Sequence, residues 1–363
     1  MIWVAAIAGA YQLFAILACL WTKVRGSGAR GQENEGFAVS ILKPVRGVDA
    51  GLREALKSHS ELDGDYELLC GVADPDDPAI AVIQEFPKAR VVICPDRAPN
   101  AKVGVLMGLE REARNPILIV NDADVRVDRD YIARVTSPLA DPRVGLVTCL
   151  FRPCTSTFAS RIEGLSVTVD FAPGALIARA VGVDEFAIGA TMAFRRADLD
   201  RIGGFAAVAD YVADDYQLGK QIHALTGADG KHLKCILSDA VVESGLGGGW
   251  RDVWSHQVRW ARTIRVSKPG GYIGLPVTWA TFWAALAFAL GDWQIAIGLL
   301  ALRMMAAIAV GWFVLRSRDV LTLCWLIPVR DFFGIAVWAS GLTGNTVMWR
   351  GRRLKLNREG RIT

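Results

Sequence analysis

No two cysteines of this 363-residue chain stand in a Cys-x-x-Cys spacing, and the seven cysteines form no Cys/His cluster. Together with the odd count, this excludes a disulfide framework and a zinc site of ordinary spacing, and predicts free packing thiols in a reducing compartment. Charge of one sign is also scarce: 41 Lys and Arg stand against 37 Asp and Glu, a net +4. No basic run is interleaved with aromatics, so the sequence offers no nucleic-acid footprint. A membrane surface is the expected partner instead.

What the chain has in quantity is apolar sequence, 52% of its residues, with a positive mean hydropathy. The 21% of charged residues is too many for a protein made only of membrane spans. The composition therefore predicts a folded domain joined to spans. Residues 1–22 are almost unbroken apolar sequence, about the length that crosses a bilayer core, and Lys23, Arg25 and Arg30 follow at once. The basic residues follow the apolar run and no small-x-small site closes it, which favours an anchor over a cleaved signal. The positive-inside rule then places the next domain in the cytoplasm, beyond a Gly/Ser/Glu linker at 23–36.

From Phe37 the text alternates between short apolar runs and helical periodicity. Strands are expected at Ala38–Leu42, Glu67–Ala73, Arg90–Cys94, Ile117–Val120 and Val144–Leu150, with helices at Leu52–Ser60, Ala79–Phe86 and Val103–Glu112. Such alternation predicts an α/β fold, a mostly parallel doubly wound sheet, in a domain over 37–268. In an open sheet of this kind ligands bind outside the carboxyl ends of the strands. Asp122 and Asp124 follow the Ile117–Val120 run there, and Asp74 follows the second strand. Paired carboxylates offer hard oxygen donors for Mg2+ or Mn2+, ions that share the phosphates of a substrate. An isolated Asp-x-Asp is also a common solvated turn, and Asp74 could equally cap the helix after it. Lys102, opening the next helix, is placed to touch a phosphate or to remain solvated.

Further along, Phe158–Val181 suits either an interfacial or a core helix. Gly189-Ala190-Thr191 would let a ligand or a backbone approach closely. Asp214 and Asp215 open a helical run, where a helix dipole favours acids and where one acid could also serve as a base. Trp254–Arg265 reads as a basic amphipathic helix carrying Gln257, Arg259 and Trp260, an arginine suited to a diphosphate and a tryptophan suited to a sugar or a membrane interface. Spans are expected at Gly274–Gly291 and Trp293–Leu315, within a membrane-embedded region over 274–349. Leu321–Trp349, with Arg330-Asp331 at its middle, crosses twice, re-enters or lies in the interface. A basic cytoplasmic tail follows at 350–363.

The ordered set Ser40–Gly47, Asp74-Pro75-Asp76-Asp77-Pro78, Asp122–Val127, Ala213-Asp214-Asp215-Tyr216 and Gln257-Val258-Arg259-Trp260 resembles the ceramide glucosyltransferase family, including its bacterial hopanoid-glycosylating relatives. The resemblance implies a GT-A nucleotide-sugar-binding domain between N-terminal and C-terminal transmembrane helices. By that resemblance Asp74 contacts the nucleotide, Asp122 and Asp124 hold the metal, Asp215 is the catalytic base, and Gln257, Arg259 and Trp260 form the Gln-x-x-Arg-Trp motif. The animal enzymes carry Asp-Ser-Gly where this chain has Asp122-Ala123-Asp124, and often Glu at the Asp214 position. The reaction implied is inverting transfer of glucose from UDP-glucose to ceramide or a similar membrane lipid. Transfer of N-acetylglucosamine from UDP-GlcNAc to a hopanoid polyol shares the same motifs, and an inactive lipid-binding scaffold is the alternative from outside enzymology.

Overall fold

The computed structural model describes residues 2–26, 37–349 and 351–363. The linker expected at 23–36 therefore lies, from residue 27 onward, outside the described residues. The chain divides into two compact units that interleave in sequence. One holds the N-terminal helix with Arg152–Gly182 and Leu246–Gly360; the other holds the first five strands up to Phe151, then Val183–Gly245 and the last three residues.

The second unit is built on a seven-stranded sheet. Its strands are β1 (Val39–Pro44), β2 (Tyr66–Val72), β3 (Ala89–Ile93), β4 (Ile117–Val120), β5 (Val144–Thr155), β6 (Met192–Arg195) and β7 (Lys234–Leu246), in the spatial order β3-β2-β1-β4-β6-β5-β7. β1 pairs in parallel with β2 and β4, and β2 with β3. β6 runs antiparallel to both β4 and β5. The parallel half is the part the alternating sequence pattern forecasts; β6 runs against it, and β5, antiparallel to β6, returns to the direction of β4. Leu42 stands opposite both Leu69 and Val120, so β2, β1 and β4 end along one edge. All four residues of β4 are buried, as a short apolar run covered on both faces should be.

Close packing fixes the helix that carries Lys102. A Cβ on Gly71 of β2 would stand 2.6 Å from Val105 and 2.8 Å from Leu109, so only glycine lets the Ala101–Glu112 helix lie this near the strand. Leu42, Leu69, Leu118, Val120, Phe194 and Ile222 join these residues in one buried core.

The other unit is helical. Two of its helices, Trp3–Thr22 and Trp293–Val314, are long and apolar enough to cross a membrane. The span expected at Gly274–Gly291 is not one straight helix: Pro269–Thr278 and Ala280–Ala289 meet at a 51° bend. The bend falls at Trp279, whose ψ of 75° is not helical, just after a 3₁₀ turn containing Pro276. Counted as one broken span, the pair makes a third candidate for a crossing; counted otherwise, it is a re-entrant loop. Phe158–Ala180 proves a core helix, mostly buried, with a π segment at Val167–Phe171. Pro173 lies two residues beyond the end of the π segment and cannot donate to the preceding turn.

Within the basic tail expected at 350–363, Arg352–Lys355 pairs antiparallel with Thr346–Trp349. Val347, Leu354 and Leu356 are buried, and Gly351 takes the left-handed conformation (φ 77°) that a tight hairpin needs. Arg350 itself lies outside the described residues.

Candidate active site

The acids expected at the strand ends converge in part. β4 runs into the turn Asn121–Asp124, and this turn is held from beneath. Lys43, fully buried at the end of β1, donates to the carbonyl of Asp122 at 2.8 Å and that of Val125 at 3.3 Å. Burial pushes its ammonium down to about 8, against the opposing pull of Cys70, Asp124 and Asp122. Asn121 anchors the same turn sideways: its amide donates to the carbonyl of Ala190 at 2.8 Å and to Tyr131 Oη at 2.9 Å. Its oxygen lies 3.3 Å from Nε2 of buried His59, a ring that burial pushes down to about 3 and so keeps neutral.

Above this base the carboxylates separate by environment. The Asp122 side chain is 40% exposed, and its Oδ1 lies 2.7 Å from Lys102 Nζ. The same ammonium is 3.4 Å from Asp214 Oδ2. Burial alone would lower the pKa of Lys102, but Asp122 and Asp214 outweigh it and the group is firmly cationic. Asn100 caps the Lys102 helix, accepting from the backbone of Lys102 and Val103, while its amide reaches the Tyr211 carbonyl at 2.8 Å and Asp214 at 3.3 Å.

Asp215 opens the Asp214–Ala224 helix. Its carboxylate accepts from the backbone N–H of Gly189 at 2.9 Å and of Tyr216 at 2.7 Å. A Cβ added at Gly189 would stand 3.1 Å from Asp215 Oδ2 and 3.6 Å from Asp122 Oδ2. Glycine is thus what lets two carboxylates from distant elements flank one point. Burial and then Asp214 push the Asp215 carboxyl up to about 6, with Lys102 opposing them. A carboxylate whose pKa is raised to about 6, standing across Gly189 from Asp122, is of a kind that can take a proton from a hydroxyl.

Asp124 turns toward β7. Its Oδ2 accepts from Ser244 Oγ at 2.8 Å and from the Gly245 backbone at 2.6 Å. Burial and then Asp122 raise its pKa, while those two donors lower it. Asp74 sits on an exposed turn and accepts from the Asp76 backbone at 3.0 Å. The capping open to Asp74 is done by Asp77, which accepts from Ala79 at 2.8 Å and from Gly47 at 3.0 Å. None of the described contacts ties Asp74 to the Lys102 group.

The donor chemistry suits a divalent cation. Asp122 and Asp124 are hard oxygen donors one residue apart, and Asp122 is open to solvent. Among the described residues, no group of three or more His, Cys, Asp or Glu converges on one point, so an ion here would complete its shell from phosphate and water, as magnesium and manganese do.

The chain matches glycosyl transferase family 21 over residues 1–362. It belongs to that family. It is therefore a glycosyltransferase, and its candidate spans mark it as a membrane protein. Among curated relatives it is 23% identical to ceramide glucosyltransferase 1 of Caenorhabditis elegans over 347 residues, covering 89% of this chain and 72% of that protein. It is 24% identical to ceramide glucosyltransferase 3 of the same organism over 225 residues, 58% and 48% of the two chains. In fold it is similar to a mannosyltransferase from Pyrobaculum calidifontis, whose structure is in complex with GDP-Man and Mn2+ (TM-score 0.51, 20% identity, 93% of this chain and 99% of that one). That likeness supports the GT-A-like reading of the sheet.

Gln257, Arg259 and Trp260 belong to the helical unit, on the Trp250–Ser267 helix. Gln257 is buried, and its amide is held at both ends, by Glu163 and by Arg330. Sequence reasoning gave no role to Lys43, Ser244 or Glu163. Lys43 did carry a signal, since a charged residue at the end of an otherwise apolar buried strand needs a partner.

Proposed function

We propose that this family member transfers glucose from UDP-glucose to the hydroxyl of ceramide or a similar membrane lipid, by a single inverting displacement. The observation that carries the reading is Asp215, held by Gly189 and Tyr216 beside Asp122, with a pKa raised toward neutrality. In the reaction its carboxylate takes the acceptor's proton as that oxygen attacks the anomeric carbon, a contribution of roughly 10²–10⁴-fold for a positioned general base. Lys102 stabilises the negative charge of the donor side and holds Asp122 in place. A divalent cation bound by Asp122 and Asp124 would neutralise charge on the departing diphosphate. Asp74 contacts the nucleotide in this reading. The roles of Arg259 at the diphosphate and of Gln257 and Trp260 toward the acceptor rest on the resemblance. The similarity to two ceramide glucosyltransferases supports glucose and ceramide as the pair, the apolar spans support a lipid acceptor, and Lys23, Arg25 and Arg30 after the first apolar run support a catalytic unit on the cytoplasmic side.

The test is mass spectrometry of lipids from a host expressing the chain, against the Asp215→Asn chain, with purified protein offered UDP-glucose or UDP-GlcNAc and ceramide or a hopanoid polyol. A hexosyl-ceramide present only with the unaltered chain is expected. An N-acetylhexosaminyl hopanoid would replace the donor and acceptor named here, and no glycolipid with either donor would overturn the assignment.

A further inference from the structure

Glu163 is an acid with almost no exposure, 1%, in a helical unit that has no obvious use for it. Its Oε1 accepts from Gln257 Nε2 at 3.0 Å and lies 2.6 Å from His256 Nδ1. The His256 ring in turn packs against Trp260 one helical turn later, with centroids 4.6 Å apart. On the other side of Gln257, its Oε1 accepts from Arg330 Nη2 at 3.2 Å. Arg330 is itself buried and stands 3.5 Å from Asp170, which also pairs at 2.7 Å with buried Arg303. Arg303 closes the set on Asp331, fully buried, at 2.5 Å.

A primary amide can flip between two orientations, and each end accepts only one kind of partner. Gln257 has an acceptor at its NH₂ end and a guanidinium at its carbonyl end, so one orientation alone satisfies both. Arg330 keeps this position although its Nε and Nη1 have no hydrogen-bond partner among the described residues, an arrangement costly enough to ask what it maintains. Room for it is made by Gly334, where a Cβ would come within 2.7 Å of Nη1.

We propose that Glu163 and Arg330 are positioning residues for the Gln257–Trp260 motif: together they lock the Gln257 amide, and Glu163 holds the His256 ring against which Trp260 is set. Neither touches substrate. The inference rests on the reading of Gln257 and Trp260 as acceptor-side machinery, and it adds the two groups that fix their geometry.

The experiment measures kcat and the donor KM of detergent-purified protein for Glu163→Ala, Gln257→Glu, the exchanged pair Glu163→Gln with Gln257→Glu, Trp260→Ala, and Trp260→Ala with Glu163→Ala. Misplacing a reacting group by about 1 Å can cost roughly 10²-fold, so Glu163→Ala is expected to lower kcat by about 10–100-fold with donor KM within about threefold. Gln257→Glu sets two carboxylates against each other and should lose comparable turnover. The exchanged pair restores a donor facing an acceptor and still offers an oxygen to Arg330, so it should recover most of the loss. In the Trp260→Ala background, Glu163→Ala should cost little more, because what it positions is already gone.

If Trp260→Ala and Gln257→Glu both keep full turnover, the motif reading fails and this inference with it. If they lose turnover while Glu163→Ala does not, or if the exchanged pair recovers nothing, the motif stands and the positioning role is wrong. Should Glu163→Ala fail to fold, Gln257→Glu against the exchanged pair decides the matter alone.

Discussion

Replacing Lys43 by methionine separates a structural from a functional reading of the acidic turn. Methionine nearly matches the volume and length of the lysine stem, so the buried space stays filled. Two effects on stability then oppose each other. The substitution removes a buried charge: a fall from the ordinary lysine value of 10.5 to about 8 corresponds to roughly 3 kcal/mol of penalty on the ammonium. It also removes a charged donor from the carbonyls of Asp122, which still accepts from the Val125 N–H at 3.2 Å, and of Val125, and a buried acceptor left without a partner costs about 1–3 kcal/mol. The two nearly cancel, so thermal unfolding of purified Lys43→Met should shift little. Turnover should not cancel. The turn that aims Asp122 loses its only described side-chain support from below, and a displacement of about 1 Å there is expected to cost roughly 10²-fold in kcat with the chain still folded. The assay is initial-rate glucosyl transfer alongside a melting curve on the same preparation. Turnover within twofold of the unaltered chain would refute the claim that Lys43 orients the acids, whatever the melting curve showed.

Asp215→Asn should lower kcat by about 10²–10⁴-fold while UDP-glucose binding, read by calorimetry, is retained. Because the reactive form of Asp215 is the carboxylate and its pKa is raised to about 6, activity should fall as pH drops through about 6; a cation on Asp122 would favour the carboxylate and draw that limb lower. Lys102→Met removes the charge that opposes the rise, so the acid limb of the kcat profile should move to higher pH, and an unmoved limb would separate Lys102 from the base. Gly189→Ala would place a methyl 3.1 Å from Asp215 Oδ2, and at least tenfold loss of turnover is expected in a chain whose melting temperature is nearly unchanged. Exhaustive chelation should abolish transfer, and Mg2+ or Mn2+ should restore it; full activity after chelation would remove Asp122 and Asp124 from the metal role.

The acids were legible because a carboxylate at the end of a buried apolar run has few places to go. Ile117–Val120 can only be interior, so Asp122 had to emerge at the sheet's carboxyl edge. Nothing local shows which partners wait there. Lys43 meets the Asp122 backbone across 79 positions, and Asp215 reaches Gly189 across 26, and pairings at that distance are set by topology rather than by period or composition. The helical unit was harder to read for a related reason. Hydropathy assigns Gly274–Gly291 to one span because it averages over residues, whereas the backbone breaks at the single position, Trp279, where a short 3₁₀ turn ends. The pair Arg330-Asp331 looked like an obstacle to crossing a membrane, and its meaning lay elsewhere. Each charge has its counterpart in another segment, Asp331 in Arg303 and Arg330 in Asp170 and Gln257, so the apolar stretch tolerates them by sharing them. An ionisable residue inside such a stretch is therefore better read as one half of a long-range contact than as the end of a span.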